Sequence, residues 1–517
     1  MTKQTFLKGT FVLMLAGLIT KILGVINKMI LARVIGAEGM GLFNMAFPTL
    51  MLTVTLTQLG LPVAISKLVA EAEAHNDRKK IKRILTVSFF VVGTLSIILT
   101  LAMIAITPVL AKTVFTDERT LYPLIAIAPI VPIVAVSSVL RGYFQGIQNM
   151  KPYATAQVIE QIVRITLVYL LASALLPLGI EYAAAGAMIS GVIGELASLL
   201  YMLAMFKAKK RVKVRQNFFT HLAGGRRTLF QLMHVALPTT GSRLIGSISN
   251  FFEPIVVSQS LMIAGVSVTM ATKQYGMLTG FAIPLLVLPS FITHSLHVSL
   301  IPTISEAAAK NHIGTIHYRL NQALKIAMIA GGISIVISYV FAEPILDLMY
   351  DSPESAVFVN MMGPFFFLFY FQGPLQAVLQ ALNLASAAMI NSLVGAVVKI
   401  LTMLALASRP EFGIMGAAIG VVVSVILVTL LHLVTVIKSI GFSLKIMDYI
   451  KGISALLLAG VFAEICQRYL LTSWTMLPRT LTLISLVVIV YMTLAVSLRL
   501  INREELSHIP IIKRWIK

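Results

Sequence analysis

A succession of apolar runs, most of them about twenty residues long and separated by short polar segments, limits this 517-residue chain to one kind of fold. A run of that length crosses a hydrocarbon core of about 30 Å as an α-helix, the conformation that satisfies its own backbone hydrogen bonds. Fourteen candidate helices begin near Gly9, Leu42, Ile84, Leu121, Tyr153, Glu181, Phe230, Gly276, Leu320, Ala356, Ala385, Gly413, Ile450 and Leu477. The expected architecture is an all-α polytopic membrane protein, and the composition agrees: 58% hydrophobic, 12% charged, mean hydropathy +0.92. The first run follows Lys3 and Lys8 as a secretory signal would. It is too long for one, carries Lys21 and Lys28 and has no small-residue cleavage site, so it reads as a retained helix.

Basic residues accumulate on the cytoplasmic side of short loops. With the N-terminus inside, 29 of the 41 Lys and Arg fall on inner segments, 7 on outer segments and the other 5 within helices. Both termini are therefore expected in the cytoplasm. A formal charge of +21 could suggest a nucleic-acid partner, but it is spread over inner loops that face anionic lipid headgroups, and no nucleic acid is expected. Cys466 is the only cysteine, which leaves no intrachain disulfide and no cysteine metal site. His294 and His297 stand three apart without a nearby carboxylate, a spacing that fits helix packing better than a metal.

The five intramembrane cations carry the functional signal, because each costs roughly 2.5 to 3.5 kcal/mol at the centre of a bilayer. Thr20-Lys21-Ile22-Leu23-Gly24, with Lys28 beyond it, is echoed by Ser242-Arg243-Leu244-Ile245-Gly246, with Asn250 at the same offset. Cation, glycine and polar residue recur at i, i+3 and i+7, one face of a helix. At an offset of 235, Ala70 to Asn76 matches Ser305 to Asn311, Gln145 meets Gln380, and Arg164 meets Lys399. The chain thus reads as two six-helix lobes in parallel pseudo-twofold repeat plus two C-terminal helices: residues 1–206, a basic cytoplasmic linker 207–229, residues 230–438, two further helices over 439–500 and a basic tail 501–517. Parallel repeats are a recurring plan for transporters, with the substrate site at the midplane between halves. Duplication that preserved packing alone would explain Gly24 and Gly246, but not the retained cations.

Each candidate has a plainer reading. Glu160 and Arg164 stand four apart, the spacing of an intrahelical ion pair, whereas Lys399 has no acidic residue at i±4. Lys28 could snorkel to an interface. Glu253-Pro254 sits in the seventh helix, where proline weakens the backbone ladder, and its carboxylate suits Na⁺, a proton or a counter-charge to Lys28 or Arg243. Glu195 and Glu464 have no repeat partner and fit packing or interfacial roles.

Leu140-Arg141-Gly142-Tyr143-Phe144-Gln145-Gly146, Asn149-Met150-Lys151-Pro152 and Ile159-Glu160-Gln161-Ile162-Val163-Arg164, set in the fourteen-helix plan, resemble the polysaccharide-exporter branch of the multidrug/oligosaccharidyl-lipid/polysaccharide superfamily. The resemblance covers essentially the whole chain and extends to the lipid II flippases, which carry arginines where this chain has Lys21 and Asn27. It implies a flippase in the bacterial cytoplasmic membrane that works by alternating access on an undecaprenyl-diphosphate-linked oligosaccharide. Lipid II for spore cortex is the implied cargo, the mother-cell or outer forespore membrane the implied location, and cell-wall synthesis proteins the implied partners. The chemistry agrees: Lys21, Lys28, Arg164, Arg243 and Lys399 suit a diphosphate, and Asn27, Asn250, Gln157 and Gln161 suit its sugars. Glu253 and Glu160 are the carboxylates for coupling to Na⁺ or H⁺. By the same resemblance, the last two helices form a groove for the prenyl tail.

A cation-coupled multidrug exporter of the same superfamily, or an exporter of another lipid-linked polysaccharide, would use the same plan. Organic cations call for acidic cavity groups, however, and the repeat-matched charges are basic. A membrane glycosyltransferase needs carboxylates on a sizeable loop, and the outer loops are short. No enzyme and no cofactor is expected, and no Gly-rich phosphate loop suggests ATP hydrolysis. Replacing Lys21 and Arg243 together by Ala should leave membrane insertion intact, since each helix becomes more apolar, and should abolish translocation of lipid II in reconstituted vesicles.

Overall fold

A computed structural model describes residues 3–208 and 225–500, with the side chains of 3–16, 18, 238, 239, 242 and 243 excepted. Among them the chain is helical, without strands. The expected cytoplasmic linker lies mostly outside the described residues, as does the tail from 501. Eleven helices are long and apolar enough to cross a membrane, or twelve if the pair Pro353–Phe366 and Phe369–Ala381, bent by 43°, forms one span. The sequence reading has fourteen starts because it cuts the 56-residue run Ile19–Ala74 near Leu42 and includes the helix Arg226–Ile263, whose Ser, Asn, Gln and Glu residues keep it out of the eleven.

The chain divides into two compact units, residues 1–276 and 277–517. In the first, α1 (Lys3–Gln58) is broken at Gly36, whose φ of 62° and ψ of −170° are open only to glycine. Then follow α2 (Leu61–Ala74), α3 (Arg78–Val109), α4 (Leu121–Ile127), α5 (Ile130–Gly146), α6 (Lys151–Leu175) and α7 (Ile180–Ala208). The Asp77 side chain caps α3 by accepting from the Lys80 N–H at 2.9 Å, satisfying one of the donors that a helix start leaves open.

Beyond the linker, α8 (Arg226–Ile263) and α9 (Val268–Gly276) complete this unit. α8 packs on α1, α2 and α3. Leu232 and Ala236 join the core of Leu61, Ile65, Ile84 and Leu140, and the Thr55 and Ser247 hydroxyls meet at 2.9 Å. Gln259 donates to the carbonyls of Thr113 and Val114. α9 lies closer still to α1. A Cβ on Gly41 would sit 2.0 Å from the Thr272 carbonyl oxygen, and one on Gly276 would sit 1.9 Å from that of Ala37. Beside this contact the buried Asp117 accepts from Thr272 Oγ1 at 2.7 Å, and Arg119 joins Asp117 at 2.9 Å to Glu38 at 2.5 Å.

The second unit continues through α10 (Ile283–Val287), α11 (Phe291–Ala309), α12 (Ile313–Val340), α13 (Ala342–Tyr350), α14 (Ala356–Phe366), α15 (Phe369–Ala381), α16 (Ala385–Ala407), α17 (Ile414–Ile440), α18 (Ile446–Tyr469) and α19 (Met476–Ser497). Its core joins Leu320, Leu324, Leu375, Leu379 and Tyr491, so α18 and α19 pack back on α12. The buried polar groups of this unit find partners: Gln372 donates to Thr429 Oγ1 at 3.1 Å, and Asn391 meets His432 at 3.1 Å and Thr435 at 3.0 Å.

The repeat is visible in the backbone. Asn76 and Asn311, Thr116 and Asp351, and Gln148 and Asn383 are each 235 apart, and all six have φ between 53° and 65°. The first and last pairs close helices the same way: Asp77 N–H reaches the Ala72 carbonyl as His312 N–H reaches that of Ala307, and Asn149 N–H reaches Phe144 as Leu384 N–H reaches Leu379. Gly276→Ala and Gly41→Ala should each lower the thermal midpoint of the detergent-purified protein, as overpacking by about 1–3 kcal/mol would. Gly93→Ala, where an added Cβ meets nothing within 4 Å, should leave it unchanged or raise it.

Candidate functional site

Tyr153, Gln157, Glu160, Arg164 and Val168 recur at intervals of three and four, so they share one face of α6. That face forms the polar wall of a cavity of about 320 Å³ inside the first unit. α1 contributes Asn27 and the apolar Phe43, Phe47 and Leu50; α5 contributes Ile130 and Arg141; α7 contributes Ser190, Gly191 and Glu195. Glycines on α7 set the polar wall. A Cβ on Gly194 would lie 2.9 Å from the Glu160 carbonyl oxygen, so only a glycine lets α7 settle here and bring Glu195 beside Glu160.

Four charged groups meet in the cavity. Arg164 donates from Nη2 to Glu160 Oε1 at 2.6 Å, the Arg141 guanidinium lies 4.7 Å from the centre of the Tyr153 ring, and Gln157 Nε2 donates to the Tyr153 hydroxyl at 2.9 Å. Glu195 is 6% exposed. Glu195 Oε1, Asn27 Oδ1 and the Nε atoms of Arg141 and Arg164 are shut away from solvent without a hydrogen-bond partner. Two cations and two carboxylates make a balanced site rather than a purely basic one.

The structure brings together only some of the residues singled out from sequence. Asn27, Gln157, Glu160 and Arg164 line the cavity, whereas Gln161 lies on the next face of α6. The Glu160–Arg164 ion pair takes the form its i, i+4 spacing suggested. Lys28 follows Asn27 by about 100° around α1 and does not line the cavity; it is half-buried, and among the described residues no carboxylate lies beside it. Lys21 is exposed, and Asn250 is exposed on α8. Glu253 is half-buried on α8 and is partnered, and Lys399 is half-buried and partnered on α16 in the second unit. The backbone of Arg243 belongs to α8, but its side chain lies outside the described residues. Glu464 pairs with Arg468 at 2.8 Å, and the rings of His294 and His297 stack while His297 Nδ1 meets the Gly373 carbonyl oxygen at 3.0 Å. Among the described residues no three His, Cys, Asp or Glu side chains gather as metal ligands.

Arg141 and Glu195 belong to the cavity although the sequence did not single them out for it. Arg141 reads as one of the inner-loop basic residues, and Glu195 has no repeat partner. The available signal was the run Gly191-Val192-Ile193-Gly194-Glu195, small residues that allow a close helix contact immediately before a carboxylate.

A multi-pass helical bundle with a polar cavity inside one unit is the architecture of a membrane transporter, and the comparisons with known proteins agree. The chain belongs to the family described as Polysaccharide biosynthesis protein, which it matches over residues 6–308, and it also matches the MatE family over residues 252–404. It is 54% identical over 516 residues to Stage V sporulation protein B of Bacillus subtilis (strain 168), covering 100% of both chains. It is 24% identical over 464 residues to Lipid II flippase MurJ of the same organism, covering 85% of this chain and 84% of the relative. A solved structure of the lipid II flippase MurJ in an inward closed conformation shares its fold, with a TM-score of 0.71 at 16% identity over 95% of this chain and 99% of that one.

Removing one partner of the Glu160–Arg164 pair strands the other in a poorly hydrated wall. Arg164→Met should destabilise the purified protein by about 3 kcal/mol, while Glu160→Leu combined with Arg164→Met should recover much of the loss. Thermal midpoints of the two singles and the double in one detergent give the coupling.

Proposed function

We propose that this protein is a flippase that carries an undecaprenyl-diphosphate-linked oligosaccharide across the bacterial cytoplasmic membrane by alternating access, and that its cargo is lipid II for spore cortex peptidoglycan. The full-length likeness to a sporulation protein, and the more distant one to a lipid II flippase, support this cargo. The observation that carries the chemistry is Lys28, a half-buried cation on an apolar helix with no carboxylate beside it among the described residues. Holding such a charge unpaired is costly, and an anion that visits it would relieve that cost. A diphosphate is a compact anion of the right kind, with oxygens for Lys28 and, across the transport cycle, for Lys21, Arg243 and Lys399. Arg164 already has Glu160, so it serves the cavity wall first. The prenyl tail remains in lipid while the head crosses, and the groove beside α18 and α19 is its proposed track.

The MatE match raises a multidrug exporter as a second reading. The balanced charges of the lobe cavity do not make the acidic pocket an organic cation requires. A potential of 100 mV is worth about 2.3 kcal/mol per elementary charge and drives an anionic head outward when the interior is negative. In vesicles holding the protein and lipid II, collapse of the potential at constant pH and Na⁺ should slow outward flipping several-fold, and Lys28→Ala should slow it at any potential. Flipping indifferent to both changes would remove the reading.

A further inference from the structure

The four unpartnered polar atoms of the first unit's cavity are of two kinds. Glu195 Oε1 and Asn27 Oδ1 are acceptors without a donor, and the Nε–H groups of Arg141 and Arg164 are donors without an acceptor. Their own side chains do not join them. Arg164 spends Nη2 on Glu160 at 2.6 Å, and the Arg141 guanidinium rests 4.7 Å from the centre of the Tyr153 ring. Glu195, 6% exposed, lies beside the Glu160 carboxyl, so the donor its Oε1 calls for is best a cationic one. The two Nε–H groups call for an anion with two oxygens. Helix α7 sets how far apart these halves lie. Gly191 and Glu195 share one face a single turn apart, about 6 Å along the axis. A Cβ on Gly191 would meet Arg164 Nε at 3.8 Å and nothing else within 4 Å, so the glycine leaves room over that donor.

We propose that this cavity binds a zwitterionic amino-acid head, its ammonium on Glu195 Oε1 and Asn27 Oδ1 and its carboxylate on the Nε–H groups of Arg164 and Arg141. An ammonium and a carboxylate on one carbon, with a hydrogen bond of about 2.7–3.2 Å at each end, span one helical turn. Such a head has no net charge, so the balance of two guanidinium groups and two carboxylates in the wall is kept. A sugar would offer hydroxyls to the same atoms but leave Glu195 without a counter-charge, and a diphosphate would bring more negative charge to both carboxylates. The site deepens the proposed function and rests on it for the cargo alone. Lipid II carries a peptide as well as sugars, and a residue of that peptide with a free ammonium and carboxylate would dock here while the diphosphate stays with Lys28.

Two measurements on the full-length protein test the site and its link to the cargo separately. In detergent at neutral pH, meso-diaminopimelate, which has an amino-acid head at each end, should raise the thermal midpoint by a few degrees at millimolar concentration. Pimelate, which lacks the ammonium groups, cadaverine, which lacks the carboxylates, and N-acetylglucosamine should each leave it unchanged. Glu195→Gln should weaken the binding of diaminopimelate at least ten-fold. Gly191→Ala, which meets no backbone and so leaves the fold intact should glutamine perturb it, should weaken binding by crowding Arg164 Nε. No rise with diaminopimelate, an equal rise with all four compounds, a rise with N-acetylglucosamine in its place, or binding that survives both variants overturns the site whatever the cargo proves to be. In vesicles, lipid II whose free peptide ammonium has been acetylated should flip at least ten-fold more slowly than native lipid II. Equal flipping of the two cargoes beside intact diaminopimelate binding assigns the site to free amino acids and overturns its part in cargo selection. Flipping of neither cargo overturns the proposed function and leaves the binding result standing.

Discussion

Peptide groups inside hydrocarbon have no water to turn to, and this one constraint governs the whole chain. It makes every span a helix and confines irregular backbone to places where other parts of the protein supply partners. At the left-handed closures of Asn76, Gln148, Asn311 and Asn383, the N–H of the following residue returns to a carbonyl of the helix just ended. The same constraint explains the dense network around Asp117, where a buried carboxylate accepts from a threonine and an arginine and the arginine spans to a second carboxylate.

Side chains face the same demand as the backbone, and the cavity of the first unit meets it incompletely. Arg164 pairs with Glu160 through Nη2 and Tyr153 serves both Arg141 and Gln157, but Nε of each arginine has no acceptor. Asn27 and Glu195 are left with unmet acceptors. In the second unit, by contrast, Gln372, Asn391, His432 and Thr429 close their hydrogen bonds among themselves. A duplicated scaffold has thus kept its backbone closures in both copies while its interior polar chemistry has diverged.

The helical class was legible because hydropathy is additive along a chain, and the repeat was legible because its closures fall at a constant spacing. Glu160 and Arg164 were legible as a pair because helix geometry fixes which residues at i and i+4 meet. Glu195 was not, since its role depends on how closely α7 approaches α6, and a glycine announces that a contact is possible without naming the partner; Arg141 was not, since its place depends on how α5 meets Tyr153 of α6. Asn27 and Lys28 show the same limit at single-residue scale: adjacent in sequence and both polar, they point about 100° apart, and only one reaches the cavity. The 38-residue α8 was legible as a helix of the second repeat, yet its packing belongs with the first unit, because burial follows complementary surfaces rather than the order of duplication.

That last feature bears on how the protein is made. A ribosome that has finished α7 has produced every helix of the first repeat, but the face of α1, α2 and α3 that α8 covers is still bare, and the seat for α9 at Gly41 is empty. The nascent first half must wait in the membrane through synthesis of the basic linker before its core can close over Leu232 and Ala236. The first repeat is therefore a unit of ancestry and not a unit of folding. Fragments divided at the linker would each expose a surface that the packing of α8 on α1, α2 and α3 covers in the intact chain.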